Sequence, residues 1–232
     1  MSSVLVSDQH AANSVSSNSV MGKNEFAFSN VPVVQSALAH VGLDKLSMRV
    51  RSGQGVTVRE LPVTGLLVLR VRKDKAALET AVSVTLGLEL PATLSSGFND
   101  NISLGALCLR WIAPDEWLLS CPVENTYTIE TSLREKLGGA SIAIVNVSGG
   151  FTVLELQGPH AIDVLKKSTA YDTHADNFAV GKVVSTVFAK AQVTMRCMGP
   201  EHVELIVRRS FADYVWHWIQ VAAVEHGLSI AV

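Results

Sequence analysis

The sequence predicts an α+β protein made of two related βαβ-type halves with mainly antiparallel sheets. Three observations predict it. Strand and helix patterns alternate in the same order in both halves of the chain. Two proline–acid turns, Pro114-Asp115 and Pro200-Glu201, stand 86 residues apart, and the same shift lays Leu66–Arg72 over Thr152–Gly158. Finally, 48% of the 232 residues are apolar and only 17% are charged, which favours a large core over disorder.

Residues 1–30 are rich in Ser, Asn and Val without a sustained period and read as a loosely attached tail. The body then spans 31–232, with halves at about 61–140 and 141–232. Val33 to Leu46 carries apolar residues at helical spacing. Leu66–Arg72 is a strand. Asp74 is placed to cap a helix over Lys75–Leu86, because a carboxylate can accept from the unpaired N–H groups of a first turn. Ser95–Asn101 reads as a polar loop. Leu104–Ile112 and Trp117–Cys121 are strands around Pro114-Asp115, where proline presets φ and Asp offers an acceptor. Glu124–Leu137 is a helix stopped by Gly138. In the second half, Phe151–Leu156 is a strand, Pro159–Lys167 a helix, Val183–Phe188 and Val193–Cys197 strands, and Val203–Val207 the strand after the second turn. A final helix covers Ser210–His226, with Ser210 and Asp213 as a capping-box-like pair.

A formal charge of −2 with mixed signs argues against nucleic acid, which needs a concentrated basic stripe. Arg70, Arg72 and Lys73 read as a solvated strand end. The longest uncharged stretch, Leu137–Leu154, holds Asn146, four glycines and two serines, so no membrane span is expected. The N-terminus has no secretory pattern, and three scattered cysteines fit a reducing compartment. The expected location is cytoplasmic.

No catalytic constellation emerges. The sequence has no G-x-S-x-G elbow and no phosphate-cradling glycine loop, and Gly149-Gly150 reads as a β-turn or bulge. Ser210 reads as a helix cap. Cys108 and Cys121 fall opposite each other if the hairpin folds about Pro114-Asp115, and read as two small side chains facing one core. Asp172, His174 and Asp176 form a loop cluster suited to capping and turns. On the last helix, Trp216 and Trp218 point about 200° apart, so one can enter the core while the other stays exposed as a contact anchor. His217, between them, fits an interface better than a proton shuttle. No catalytic, cofactor-binding or metal-binding residue is expected.

Arg110-Trp-Ile-Ala-Pro-Asp-Glu-Trp-Leu-Leu119 resembles the R-x-L-G-P-D-E-W-L-L signature of the gamma subunit of heterotetrameric sarcosine oxidase. Five further blocks agree in order: Ser36-Ala-Leu-Ala-His40, Val58-Arg-Glu-Leu-Pro62, Leu86-Gly-Leu-Glu-Leu-Pro91, Leu156-Gln-Gly-Pro-His-Ala-Ile-Asp-Val-Leu165, and Arg209-Ser-Phe-Ala212 with Trp216 and Trp218. The chain departs from the family at Asn146–Phe151 and at Val68-Leu-Arg70, where polar or charged groups are lost.

The resemblance implies an aminomethyltransferase-like fold and a non-catalytic structural subunit. Its expected partners are alpha, beta and delta chains, in a complex that demethylates sarcosine to glycine. FAD, FMN, NAD and tetrahydrofolate are expected in the partner subunits and no cofactor in this chain. Arg110, Trp111, Arg209, Trp216 and Trp218 are the candidate interface residues, at or just beneath the contact, while strand alternation favours Trp117 inside the chain's own core. Two other readings fit the same residues. One is a gamma-type subunit of a related N-methyl amino acid dehydrogenase. The other is a stand-alone folate-binding protein of this fold, for which Asp172 would be the nearest pterin ligand.

Overall fold

In the computed structural model, the described residues are 35–47, 55–101 and 103–231. The tail over 1–30 and the start of the first expected helix lie outside them. That helix is divided. A 3-10 turn over Ala39–Val41 ends at Gly42, whose φ of +66° only glycine adopts freely, and a short helix α1 follows over Leu43–Ser47.

Strand β1 covers Val56–Glu60. The first half then runs β2 (Thr64–Val71), α2 (Lys75–Leu86), β3 (Ser96–Asn101), β4 (Gly105–Ala113), β5 (Glu116–Pro122), α3 (Thr126–Leu137) and β6 (Ile142–Asn146). The second half repeats it as β7 (Phe151–Gln157), α4 (Ala161–Ser168), β8 (Val183–Phe188), β9 (Ala191–Gly199), β10 (His202–Arg208), α5 (Ala212–Ala222) and β11 (Leu228–Ala231). A shift of 86 carries β4 onto β9 and β5 onto β10, end for end.

The first sheet has the order β3-β4-β5-β2-β6 and is antiparallel throughout. Without the edge strand β3 it is a split β-α-β-β-α-β unit. The second sheet has the order β11-β1-β7-β10-β9-β8. It is the same unit with one change: β1 stands between β7 and β11, pairing antiparallel with the former and parallel with the latter.

Alternation along the strands makes the layers. On β5, Trp117, Leu119 and Cys121 face α2 and α3, and with Leu67, Leu69 and Leu109 of the sheet they pack against Ile129 and Leu133 of α3. Leu154, Leu156, Met195, Leu205, Val215, Trp216 and Ile219 fill the corresponding core under α4 and α5. The opposite faces of the two sheets meet through Leu66, Leu118, Val153 and Ile206. Trp117 settles into the first core with its indole N–H donating to the Pro91 carbonyl at 2.9 Å, so its one polar atom is satisfied.

Several local expectations are corrected. The polar stretch Ser95–Asn101 is largely strand β3, and Asn99 donates to the last carbonyl of α2, Leu86 O, at 2.8 Å. Asp74 makes no side-chain cap; its Oδ2 accepts from Ser141 N at 2.7 Å and ties the start of α2 to the start of β6. The Ser210–Asp213 pair does not cap either. Arg209–Phe211 is a 3-10 turn, α5 begins at Ala212, and Asp213 bonds His40 Nε2 at 2.9 Å. Strand β11 has no counterpart in the sequence reading.

Cys108 and Cys121 are not partners. A bulge between Trp111 and Ala113 shifts the β4–β5 register by one residue, so Cys108 stands opposite Ser120. A one-residue slip sends side chains to the other face. Cys121 faces the helices, whereas Cys108 faces the second sheet.

Candidate functional site

A buried cluster of charged side chains lies between the two sheets. Arg110 on β4 and Arg196 on β9 are repeat mates, 86 residues apart, and both project from the inner faces of their sheets. They converge on Glu204 of β10, which occupies the repeat position of Leu118. Arg110 Nε and Nη2 donate to the two carboxylate oxygens at 2.9 and 2.8 Å, and Arg196 Nη2 donates to Oε2 at 3.3 Å. Arg196 Nε also lies 3.3 Å from Oε1, but out of line for a hydrogen bond. Arg110 Nη1 donates to Ser120 Oγ at 2.8 Å and to the Cys108 carbonyl at 3.1 Å.

Two cations share one anion here, and Arg110 is only 1% exposed. The uncompensated charge of Arg196 leans on Cys108, whose Sγ lies 2.9 Å from Nη1. Burial pushes the Cys108 thiol up, outweighing the downward pull of Arg110 and Arg196. The guanidinium fork holds the carboxylate at two points. The cluster acts as a clamp, with Arg110 from one sheet closed on Glu204 of the other.

Among the expected interface residues, Arg110 is thus enclosed, and Trp216 is 2% exposed in the core under α5. Trp111 is half-buried against the first core, opposite Trp117. Trp218 is half-buried beside α4 and donates its indole N–H to Ser168 Oγ at 2.9 Å. Arg209 is exposed and donates to the carbonyls of Gln35 and Ser36 at 3.0 and 3.3 Å. Those five residues therefore do not converge on one spot.

Helix α5 does present a continuous outer stripe. Tyr214 and Val221 stand at helical spacing on the side away from the core, 38% and 66% exposed, and Trp218 flanks them, half-buried against α4 and the core. Phe211, just before the helix, is also exposed. A helix apolar on both faces is suited to having both covered. His217 beside the stripe lies 3.6 Å from Asp213, both exposed.

Asp172, the alternative pterin ligand, is exposed and turned on its own loop: Oδ1 accepts from His174 N at 3.0 Å and its carbonyl from Asn177 Nδ2 at 3.1 Å. His174 and Asp176 continue the same turn. Gly149 and Gly150 close a 3-10 turn with Ser148, whose Oγ accepts from Leu66 N at 2.9 Å. Glu204 and Arg196 were missed at the level of sequence. The signal was present, since the 86-residue shift that aligns the turns also carries Arg110 onto Arg196.

The architecture defines the class first: a duplicated α+β protein with the aminomethyltransferase-like fold. A glycine cleavage system aminomethyltransferase T from Bartonella henselae superposes over 82% of this chain and 51% of that one, with a TM-score of 0.57 at 15% identity. The chain belongs to the sarcosine oxidase gamma subunit family, whose model matches residues 70–225. It is 28% identical over 202 residues to sarcosine oxidase subunit gamma of Corynebacterium sp. (strain U-96), covering 87% of this chain and 96% of that protein. A second gamma subunit, from Arthrobacter sp., is 28% identical over 200 residues, or 85% and 96% of the two chains. In the structure of heterotetrameric sarcosine oxidase from Corynebacterium sp. U-96, one chain is covered over 99% of its length, with a TM-score of 0.72 at 26% identity. Among the described residues, no helix is long and apolar enough to cross a membrane.

Proposed function

We propose that this chain is the gamma subunit of a heterotetrameric sarcosine oxidase, assembled with alpha, beta and delta subunits in the cytoplasm. Its role is structural. The complex removes the N-methyl group of sarcosine to leave glycine, with tetrahydrofolate accepting the one-carbon unit and FAD, FMN and NAD bound in the partner subunits. The observation that carries this reading is end-to-end agreement with a chain of such a complex, 99% of which is covered by this one. Three unpaired cysteines, all buried, support a reducing compartment.

In this reading the outer stripe of α5 (Tyr214 and Val221), flanked by half-buried Trp218 and with Arg209 at its leading edge, docks against a partner subunit. Trp216 lies directly beneath and stiffens it. Large permanent interfaces are built on such aromatic and arginine anchors.

The test is affinity purification of the tagged chain from its native host, with mass spectrometry, a flavin absorbance scan and a sarcosine oxidation assay. Three co-purifying subunits, flavin absorbance and activity on sarcosine are expected. Recovery of a lone colourless protein would overturn the proposal. A flavin-bearing complex active on another N-methyl amino acid and inert to sarcosine would overturn the substrate assignment.

A further inference from the structure

Three side chains from two stretches of the second half meet at one end of its sheet. His160 stands immediately before α4, Asp163 lies in the first turn of that helix, and His226 sits in the link from α5 to β11. The two imidazole rings stack with centroids 4.2 Å apart and planes within 9°. His160 Nδ1 is 3.0 Å from Asp163 Oδ2, and ligand atoms of all three residues lie within 4.8 Å of one another. Glu225 adds a carboxylate oxygen 3.3 Å from His226 Nε2.

The backbone beneath is fixed by one residue. Gly55 N donates to His226 O at 2.9 Å, and His160 N donates to Gly55 O at 3.1 Å. A Cβ at Gly55 would fall 2.7 Å from both His160 Cδ2 and the His226 carbonyl, so only glycine fits. Gly158, at φ +122°, is fixed in the same way, since a Cβ there would fall 2.7 Å from Gly55 O. Two histidines 66 positions apart are therefore held together by the main chain.

Cations already gather there. Lys166 Nζ donates to Asp163 Oδ1 at 3.0 Å. Lys167 Nζ is bonded to the Glu225 carboxylate, donates to Ala222 O at 2.9 Å and lies 3.5 Å from His226 Nε2. The lone pairs converging at this point are arranged around positive charge.

We propose that His160, Asp163 and His226, with Glu225 as a fourth donor, form a binding site for a divalent transition-metal ion of the zinc class. Two imidazoles select such an ion over magnesium or calcium, which prefer all-oxygen shells. Two carboxylates match its charge. Tetrahedral coordination at about 2.0–2.1 Å sets donor atoms about 3.3 Å apart, and the 3.0 Å His160–Asp163 pair is close to that spacing. To complete the shell, His226 turns out of the stack and Lys167 yields its place. Bound metal would join the start of α4 to the α5–β11 link.

The test uses the full chain freed of metal by chelation. Titration with Co²⁺, read by its visible absorption, and with Zn²⁺ by calorimetry should show saturable binding at one equivalent. Zinc should raise the melting temperature. Lys167→Met should tighten binding; His160→Ala and His226→Ala should each abolish it while circular dichroism stays native. Should either variant fail to fold, ¹⁵N NMR of the wild-type imidazoles decides: His160 and His226, out of seven histidines, should shift with zinc. Absence of saturable binding, binding unchanged in both alanine variants, or zinc-dependent shifts confined to other histidines would overturn the site and leave a pair of surface ion pairs beside a histidine stack.

Discussion

Replacing Glu204 with glutamine keeps the shape of the side chain and removes the charge that Arg110 and Arg196 share. Removing one partner of a buried ion pair costs about 3–5 kcal/mol, because the other charge stays out of water. Here two guanidiniums lose their counter-ion, and one of them is 1% exposed. Glu155 stands opposite Glu204 on β7, but its carboxylate is directed to His202 at 3.6 Å and does not stand in. Glutamine can still accept one hydrogen bond, so a loss of about 4 kcal/mol is expected. For a chain of this size that corresponds to roughly 8–16 °C in melting temperature. Arg196→Met separates the terms. It takes away the unbalanced cation and leaves the two-point Arg110–Glu204 pair intact, so it should change stability by less than about 1 kcal/mol. The assay is urea unfolding followed by tryptophan fluorescence and circular dichroism. A Glu204→Gln protein within about 0.5 kcal/mol of the parent would refute the clamp, since that is the range of an ordinary surface change. So would an Arg196→Met protein as weak as the glutamine variant.

Trp216→Ala should cost about 3–5 kcal/mol in the same unfolding assay, as expected for a buried tryptophan, whereas half-buried Trp218→Ala should cost clearly less and weaken recovery of partner subunits in the pull-down. Asp115 adopts φ +59° and its carbonyl, rather than its side chain, accepts from Val71 N at 3.0 Å. Asp115→Gly should therefore be neutral or stabilising by up to ~1 kcal/mol, and Asp115→Val destabilising by about 1–2 kcal/mol, both read from urea midpoints. Burial is the main cause raising the thiol pKa of Cys108, Cys121 and Cys197. A raised pKa keeps a thiol protonated at higher pH, so Ellman's reagent at pH 8 should find no fast-reacting cysteine in the native chain and three in denaturant.

What was legible in the sequence follows from what is local. Strand alternation and helix periodicity set the order of β2, α2, β4, β5, α3 and their repeats, and proline marked both hairpins. The 86-residue shift holds where β4 and β5 overlie β9 and β10. Three kinds of feature were hidden. Strand β3 (SGFNDN) has no apolar alternation; it forms because β4 offers it a partner, and the side chain of Asn99 closes α2. The bulge at Ile112 left the cysteines looking aligned, since a register shift carries no composition signal. The caps expected at Asp74 and Asp213 failed because tertiary partners, Ser141 N and His40, competed for those carboxylates. For the site, the conspicuous residues were tryptophans and arginines along the chain, while the buried grouping depended on Glu204, an acid within an apolar strand. Its meaning appears only once two sheets are stacked.

The two halves also show how one inserted strand can create a site. In the first half, β6 pairs directly with β2, and the junction between helix start and last strand is closed by Asp74 Oδ2 on Ser141 N. The repeat mate of Asp74 is His160, and that of Ala140 is His226. In the second half β1 occupies the place next to β7 and moves β11 outward by one strand. A side chain before α4 can no longer close the junction as Asp74 does, because Gly55 at the start of β1 now lies between and takes the backbone bonds of both His160 and His226. With the main chain satisfied by Gly55, the two histidine side chains make no bond across the junction like that of Asp74. They are free to stack over the glycine and to gather Asp163 and Glu225 around them. The first half holds aspartate and alanine at the two positions where the second holds histidines, and it has Ala77 where the second has Asp163. The same comparison bears on Glu204. At position 118 the repeat carries leucine, so one carboxylate serves two arginines across the sheets. Differences between the halves thus fall on the junction where β1 stands and on the charge between the sheets, while the β4–β5 and β9–β10 hairpins match end for end.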